Sequence, residues 1–598
     1  MKYPFCEKQL YEITEKLASV AEGRIPADTV IKNCTLINVC TKELIKNTDI
    51  VITDGRICLI GDGKHCIGEN TNVIDATGLY ASPAFIDTHL HIESSMLTAR
   101  EYAKAVIPHG TAMICMDPHE ICNVLGLRGL NYLIEDSKRT PLKVMAFAPS
   151  CVPSMPGFED SGANICAQDI ESVIDNERVF GIGEMMNYVG IINGAKGPHD
   201  IVKTALMSGK AVSGHYSSPD VGKDMNAYFS CGVNDCHEST SAKDALEKLR
   251  RGVKVFFREG SASRNLEELL TLITKKNIDT RNVAFCTDDI HPGDFESKGH
   301  IDYIVRRAIE LGVPALTAYQ IATINAAEAY GFAHETGSIS LGNVADIVLV
   351  KDIEKVDVQK VLINGKVVSE NGKNTFSVDL SRKFEEEELN SVNVGAKISI
   401  DDFRISTLNE EEKVRVIEIT PTQLPTGSTT AIIKSKNGNL ISDTNQDILK
   451  TVVFERHHAT GSRGYGFIKG FGIKDGAIAS TVAHDCHNLL VVGDSDEDMC
   501  LASNTLASSG GGMCVVKQGE VIAHLPLPVA GLMSLKSAKD TASLIRKLEQ
   551  AWEELECKVP DPFMTMSFIS LACIPSLRIT NRGLVDTDNF NFVDLIVK

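Results

Sequence analysis

The stretch Ala81-Ser-Pro-Ala-Phe-Ile-Asp-Thr-His89-Leu-His91-Ile-Glu-Ser-Ser95 runs from an apolar segment, Ala84 to Ile86, straight into two histidines one residue apart. In a β-strand, side chains at i and i+2 share a face. Two imidazoles at that spacing can grip one cation without loop strain, so the stretch predicts a strand ending in half a metal site. Standing alone, the pair would be two ordinary histidines at a strand end. The rest of the chain must supply the other ligands.

Downstream the pattern alternates strand and helix. Eight short apolar runs follow one another: Ala84–His91, Thr111–Met116, Leu142–Ala148, Val179–Met185, Ala211–His215, Gly232–His237, Lys254–Arg258 and Val283–Asp288. Helical segments such as Leu246–Arg251 and Asn265–Lys275 separate them. Eight β–α units in about 250 residues is the arithmetic of a (β/α)8 TIM-like barrel, whose chemistry sits at the C-terminal ends of the strands. Those ends carry His89 and His91, Glu184, His215, His237 and Asp288. Singly, each has a plain reading: a buried hydrogen-bonded histidine, a salt bridge, a helix cap. Together, four imidazoles and two carboxylates at five strand ends predict a site for two divalent ions.

Around the barrel, strands are expected before residue 80 and after residue 337. Asp54-Gly55 and Asn364-Gly365 are hairpin turn signals. The expected fold is therefore α/β: a barrel over 81–336, a flanking β-sandwich built from 1–80 (with a helix over Glu7–Glu22) and 337–380, and an additional C-terminal α+β domain over 392–598. Residues 381–390 read as a charged linker or an exposed helix face. Asn437-Gly438 is a further turn, and Ser537 to Leu555 an amphipathic helix with Leu544, Leu548, Ala551, Trp552 and Leu555 on one side.

Composition bounds the function. Of 598 residues, 43% are apolar and 23% charged, with 60 Lys+Arg against 79 Asp+Glu, a net charge of −19. Such a balance argues against nucleic acid or an anionic membrane as partner. No run of eighteen apolar residues exists, and the N-terminus lacks the apolar core of a signal peptide. The 17 cysteines, never spaced C-x-x-C, fit free thiols and a cytoplasmic location. The absent C-x-x-C also sets aside the zinc nucleobase deaminases, although His91-Ile92-Glu93 matches half of their signature.

The order His-x-His, acid, His, His, Asp resembles the amidohydrolase superfamily. Asp117-Pro118-His119-Glu120, Gly183-Glu184-Met185-Met186-Asn187, Arg258-Glu259-Gly260-Ser261, Thr287-Asp288-Asp289, Glu455-Arg456-His457-His458 and Ala483-His484-Asp485 look like the bacterial adenine deaminase family. Many superfamily members bridge their metals with a carboxylated lysine. Here Glu184 holds that position, which disfavours dihydroorotase- and hydantoinase-like activities.

The resemblance implies hydrolysis of adenine to hypoxanthine and ammonia by water activated at two divalent ions, manganese foremost, with iron or zinc compatible. It implies His89, His91 and Asp288 on one ion, His215 and His237 on the other, and Glu184 between them. Asp288, Glu184 and His237 are the expected catalytic residues, with Asp288 acting as base and then acid. Glu93, Ser94, His119, Glu120 and Glu259 are expected purine contacts, with His119 equally able to orient a ligand. His457, His458, His484, Asp485 and His487 read as structural or lid residues. The partner is a small purine base, and a homo-oligomer, dimer or tetramer, is expected by analogy.

Two alternatives stay open at this level. Another acid-bridged amidohydrolase, such as an N-acetylglucosamine-6-phosphate deacetylase-like enzyme, would need a basic cluster at the barrel mouth. A non-catalytic assembly protein on the same scaffold would tolerate lost ligands, and none of the six is lost.

Overall fold

The computed structural model describes residues 3–261, 263–420 and 425–597. Eight parallel strands form its centre: β1 (Phe85–Leu90), β2 (Thr111–Met116), β3 (Lys143–Ala148), β4 (Val179–Met185), β5 (Ala211–Gly214), β6 (Asp235–Cys236), β7 (Lys254–Arg258) and β8 (Val283–Cys286). β1 to β5 make one parallel sheet and β6 to β8 another. Two seams join them. Asn234 N donates to Val212 O (2.9 Å) between β5 and β6. Asp288 N donates to His89 O (3.0 Å) beyond β8 and β1.

Both faces of these strands are covered, as parallel strands require. One parity (Ile86, Met113, Cys115, Met145, Phe147, Phe256, Ala284 and Cys286) meets in the interior of the ring. The other (Phe85, Ile114, Val144, Val255 and Phe285) packs outward on helix residues such as Leu133, Leu269 and Ile304. The strands end earlier than the apolar runs predict. His91, His215 and His237 fall one residue past β1, β5 and β6, and Asp288 two past β8. Asp288 has left-handed backbone (φ 59°), which a strand cannot contain.

Both flanks contribute to a single nine-stranded sheet. Tyr80–Pro83 before the barrel pairs antiparallel with Ile347–Val350 after it, Ala81 opposite Leu349. Ile31, Ile50, Ile52, Ile347 and Leu349 form a core beside this seam. Asp54-Gly55, Asn364-Gly365 and Asn437-Gly438 all have positive φ at both positions, the hairpin geometry their sequences predict. The N-terminal helix is shorter than expected, Thr14–Ala21, behind a 3-10 turn at Leu10–Glu12.

The C-terminal region builds a second nine-stranded sheet. Its central strand Ile448–Phe454 is buried throughout and alternates its side chains between two cores. Leu449 and Val453 pack with Leu548, Ala551 and Trp552, while Val452 and Phe454 pack with Met499, Ala502 and Leu506. The helix Ala538–Glu554 thus covers one face and Asp496–Ser508 the other. Ser537 caps the former, its hydroxyl accepting from Asp540 N. Within the charged connection, Glu386–Leu389 is a single helical turn, and Arg382 pairs with Glu388 at 2.5 Å. Among the described residues no helix is long and apolar enough to cross a membrane, and every cysteine is free.

Candidate metal centre

The six residues read from the strand ends meet at the C-terminal mouth of the barrel. Asp288 Oδ1 lies 3.6 Å from His89 Nε2 and 3.2 Å from His91 Nε2. Glu184 divides its oxygens. Oε1 faces His91 Nε2 at 3.5 Å, and Oε2 faces His215 Nδ1 at 2.5 Å and His237 Nε2 at 3.0 Å. The rings of His89 and His237 stack at 3.8 Å. Five of the six are at most 5% exposed, and His215 is half-buried at the rim.

The donor chemistry fits divalent cations. His91 Nδ1 donates to the Asp117 carbonyl (2.8 Å), which fixes the ring with Nε2 turned to the two carboxylates. His89 Nε2 is buried with no hydrogen-bond partner, a ligand atom otherwise expensive to leave unpaired. Burial, then the neighbouring His89, pushes His237 down to about 4, so its imidazole is in the neutral, metal-binding form. Burial works against the Asp288 carboxylate, but Arg258 and the His89 and His91 imidazoles outweigh it and hold its pKa well below the usual range. Glu184 is held low against burial by His215 and His237. Both acids are ionised and ready to ligate.

Three further residues complete the surroundings. Asp117, the first residue after β2, accepts from Glu184 N (2.7 Å) through Oδ2. The approach is so close that a Cβ on Gly183 would sit 2.2 Å from Asp117 Oδ2. Arg258 Nη1 donates to Asp288 Oδ2 (2.9 Å) and also pairs with Glu238. Glu238 Oε1 lies 3.5 Å from His237 Nε2. Asp117 could have been found from the sequence, since it follows an apolar run just as the six converging residues do.

The expected purine contacts separate into groups. Glu93 is buried, its Oε1 accepting from Ile121 N (3.0 Å) and its Oε2 without a partner. Burial pushes its carboxyl up to about 7. Ser94 Oγ donates to Asp289 Oδ1 (2.6 Å), beside Asp288. His119 Nδ1 lies 3.4 Å from Glu184 Oε1, beside the six converging residues. Glu120 is buried among imidazoles, with His484 Nδ1 2.7 Å from Oε1 and His487 Nε2 on Oε2. Glu259 turns away to the start of the helix Leu266–Thr274, where its carboxylate accepts from Leu266 N at 3.4 Å.

The histidines of the C-terminal sheet do not form one cluster. His457 Nε2 bonds the Cys486 carbonyl (2.7 Å), and His458 Nε2 bonds the Ser161 carbonyl of a barrel loop (2.9 Å). Buried Asp485 has an Oδ2 without a partner. Only His484 and His487 reach the barrel mouth residue Glu120 among this set.

Comparison with known proteins agrees with this architecture. Residues 80–368 match the amidohydrolase family, and residues 423–591 match the adenine deaminase C-terminal domain. An adenine deaminase of Clostridium botulinum (strain Langeland) is 51% identical over 99% of both chains. One from Moorella thermoacetica is 43% identical over 98% of this chain and 99% of its own. One from Paracoccus denitrificans is 38% identical over 99% of each. The amidohydrolase match implies a divalent metal, which the buried imidazole and carboxylate set is built to hold. With relatives at this identity along its whole length, the chain belongs to the adenine deaminase family of amidohydrolases.

Proposed function

We propose that this protein hydrolyses adenine to hypoxanthine and ammonia. The observation that carries the reading is the convergence of four imidazoles and two carboxylates at one barrel mouth, in a chain aligned end to end with adenine deaminases. The deacetylase alternative has no comparable support.

His89, His91 and Asp288 would hold one divalent ion, His215 and His237 the other, and Glu184 would ligate both. Two ions per site, manganese foremost, suit this mixed set, which also admits iron or zinc. Bound divalent ions supply Lewis acidity and lower the pKa of water toward neutrality. Asp288 moves the protons in this reading. Arg258 ties its Oδ2 at 2.9 Å, while Oδ1 faces His89 and His91. A carboxylate so held takes the proton of the attacking water and returns it to the departing amine, base in one step and acid in the next. The C6–O bond forms, the C6–N bond breaks, and water and adenine leave as hypoxanthine and ammonia. We assign the partnerless Glu93 Oε2 to the purine ring, with the Ser94 hydroxyl an acceptor for a ring N–H because its own proton goes to Asp289. Glu259 receives no such role, because its carboxylate is spent on the Leu266 amide.

On the same reading the protein works in the cytoplasm as a dimer or tetramer, which light scattering would measure. The chemistry is tested by incubating the manganese-loaded protein separately with adenine and with N-acetylglucosamine 6-phosphate. Ammonia and hypoxanthine from the first are expected. Acetate from the second, with no ammonia from the first, would overturn the reading.

A further inference from the structure

The barrel alone leaves Glu120 unexplained. It is the second residue of the helix His119–Leu125 that follows β2, it is 2% exposed, and it faces the C-terminal sheet domain. His484 Nδ1 lies 2.7 Å from its Oε1, and His487 Nε2 makes a closer contact with Oε2. His119 Nε2 is 3.4 Å from the same Oε1, and its Nδ1 is 3.4 Å from Glu184 Oε1. A continuous line of polar groups therefore runs from His487 through Glu120 and His119 to Glu184.

By composition Glu120, His484 and His487 resemble a further cation site. The hydrogen bonds decide otherwise. Ala483 N donates to His487 Nδ1 (3.1 Å), so Nδ1 carries the lone pair and Nε2 the hydrogen. His487 Nε2 is then a donor to Glu120, not a metal ligand. The group is a hydrogen-bonded clamp.

The clamp is rigidly mounted. His484 stacks on Phe568 at 4.7 Å with 10° between the rings, and its backbone N donates to Ser567 O (2.8 Å). His487 N donates to Ala483 O (2.7 Å), and its backbone is left-handed (φ 54°), a conformation that persists for a histidine only where its surroundings over-determine it. Joining two domains does not need a buried carboxylate between imidazoles. Apolar contact would join them without the desolvation cost of the charge. What the arrangement achieves is a fixed carboxylate one histidine away from Glu184.

Building on the deaminase reading, we propose that His484 and His487 are positioning residues: they orient Glu120, and through it His119, against the barrel site, so the C-terminal domain is a working part of that site. The protein's full chain is tested as His487→Ala, His487→Gln and Glu120→Gln, singly and with Glu120→Gln combined with His487→Ala. Glutamine presents an N–H at a reach similar to Nε2. Readouts are kcat and KM for adenine, thermal stability, and the calorimetric affinity of metal-free protein for Mn2+. The expected result for His487→Ala is a loss of about 10–100-fold in kcat and about tenfold in Mn2+ affinity, the range for partners that orient metal ligands. KM should hold, the losses in kcat and Mn2+ affinity should exceed what any fall in the thermal midpoint accounts for, His487→Gln should recover most of the loss, and His487→Ala should add little in the Glu120→Gln background. Wild-type values in His487→Ala would overturn the proposal. So would equal losses in the Ala and Gln variants that track a lowered melting temperature, which would make the contact mere packing. A wild type that releases no ammonia from adenine would sink the deaminase reading, while the Mn2+ affinities would still judge the clamp.

Discussion

Asp288 combines left-handed backbone, an oxygen tied to Arg258 and an oxygen turned to two imidazoles. An asparagine there keeps an oxygen for the cation but cannot accept a proton. Asp288→Asn should therefore retain metal, by elemental analysis, and lose turnover by about 10²–10⁴-fold. A near-normal rate would remove Asp288 from proton transfer. Glu159 makes a different prediction, about stability. Burial first, then Asp485, raises its carboxyl from 4.5 to about 7. Because the folded value exceeds the unfolded one, the associated stability is full below about pH 4.5 and lost as pH rises through about 7. That difference corresponds to about 3 kcal/mol. Ser154 and Met155 donate to one oxygen of Glu159, which glutamine can supply. Glu159→Gln should thus melt higher than the wild type at pH 8 and no higher at pH 4. Parallel melting curves across pH would contradict this. The ligand-type residues were legible because each follows an apolar run. Asp117 follows one too, but Asp-Pro also reads as an ordinary turn. Arg258 and Glu259 are adjacent and opposite in charge, and only the backbone decides that the arginine turns inward and the glutamate caps a helix.

Among the elements, β4 shows how tightly backbone and site are coupled. Gly183 admits the Asp117 carboxylate against the strand, where Glu184 N donates to it at 2.7 Å. Gly183→Ala would force that carboxylate away. The expected outcome is at least tenfold weaker Mn2+ binding, measured by calorimetry, with the circular dichroism of the barrel retained. Unchanged affinity would show that the Asp117 contact does not orient Glu184. The three Asx-Gly turns were readable because their chemistry is local, two left-handed residues in succession. Strand ends were less so. The sequence signal is hydrophobicity, which continues through His91 and His215, whereas the ladder stops where the side chains begin to serve the site.

At the scale of the whole molecule, the barrel and an additional C-terminal sheet were foreseeable from pattern and length. The seam between Tyr80–Pro83 and Ile347–Val350 follows from the need to pair two edges that the barrel brings together. The contact of Glu120 with His487 was not foreseeable, because 367 residues separate them and neither shows a pattern that names the other. It takes the assembled fold to reveal that the C-terminal sheet reaches into the barrel mouth.

In the proposed mechanism one set of residues holds two divalent ions, and a titration of metal-free protein with Mn2+ tests that most directly. Adenine deamination should return in full only at two equivalents per chain, and Glu184→Ala should bind fewer and recover none. Full activity without added divalent metal, or two equivalents still bound after Glu184→Ala, would contradict it.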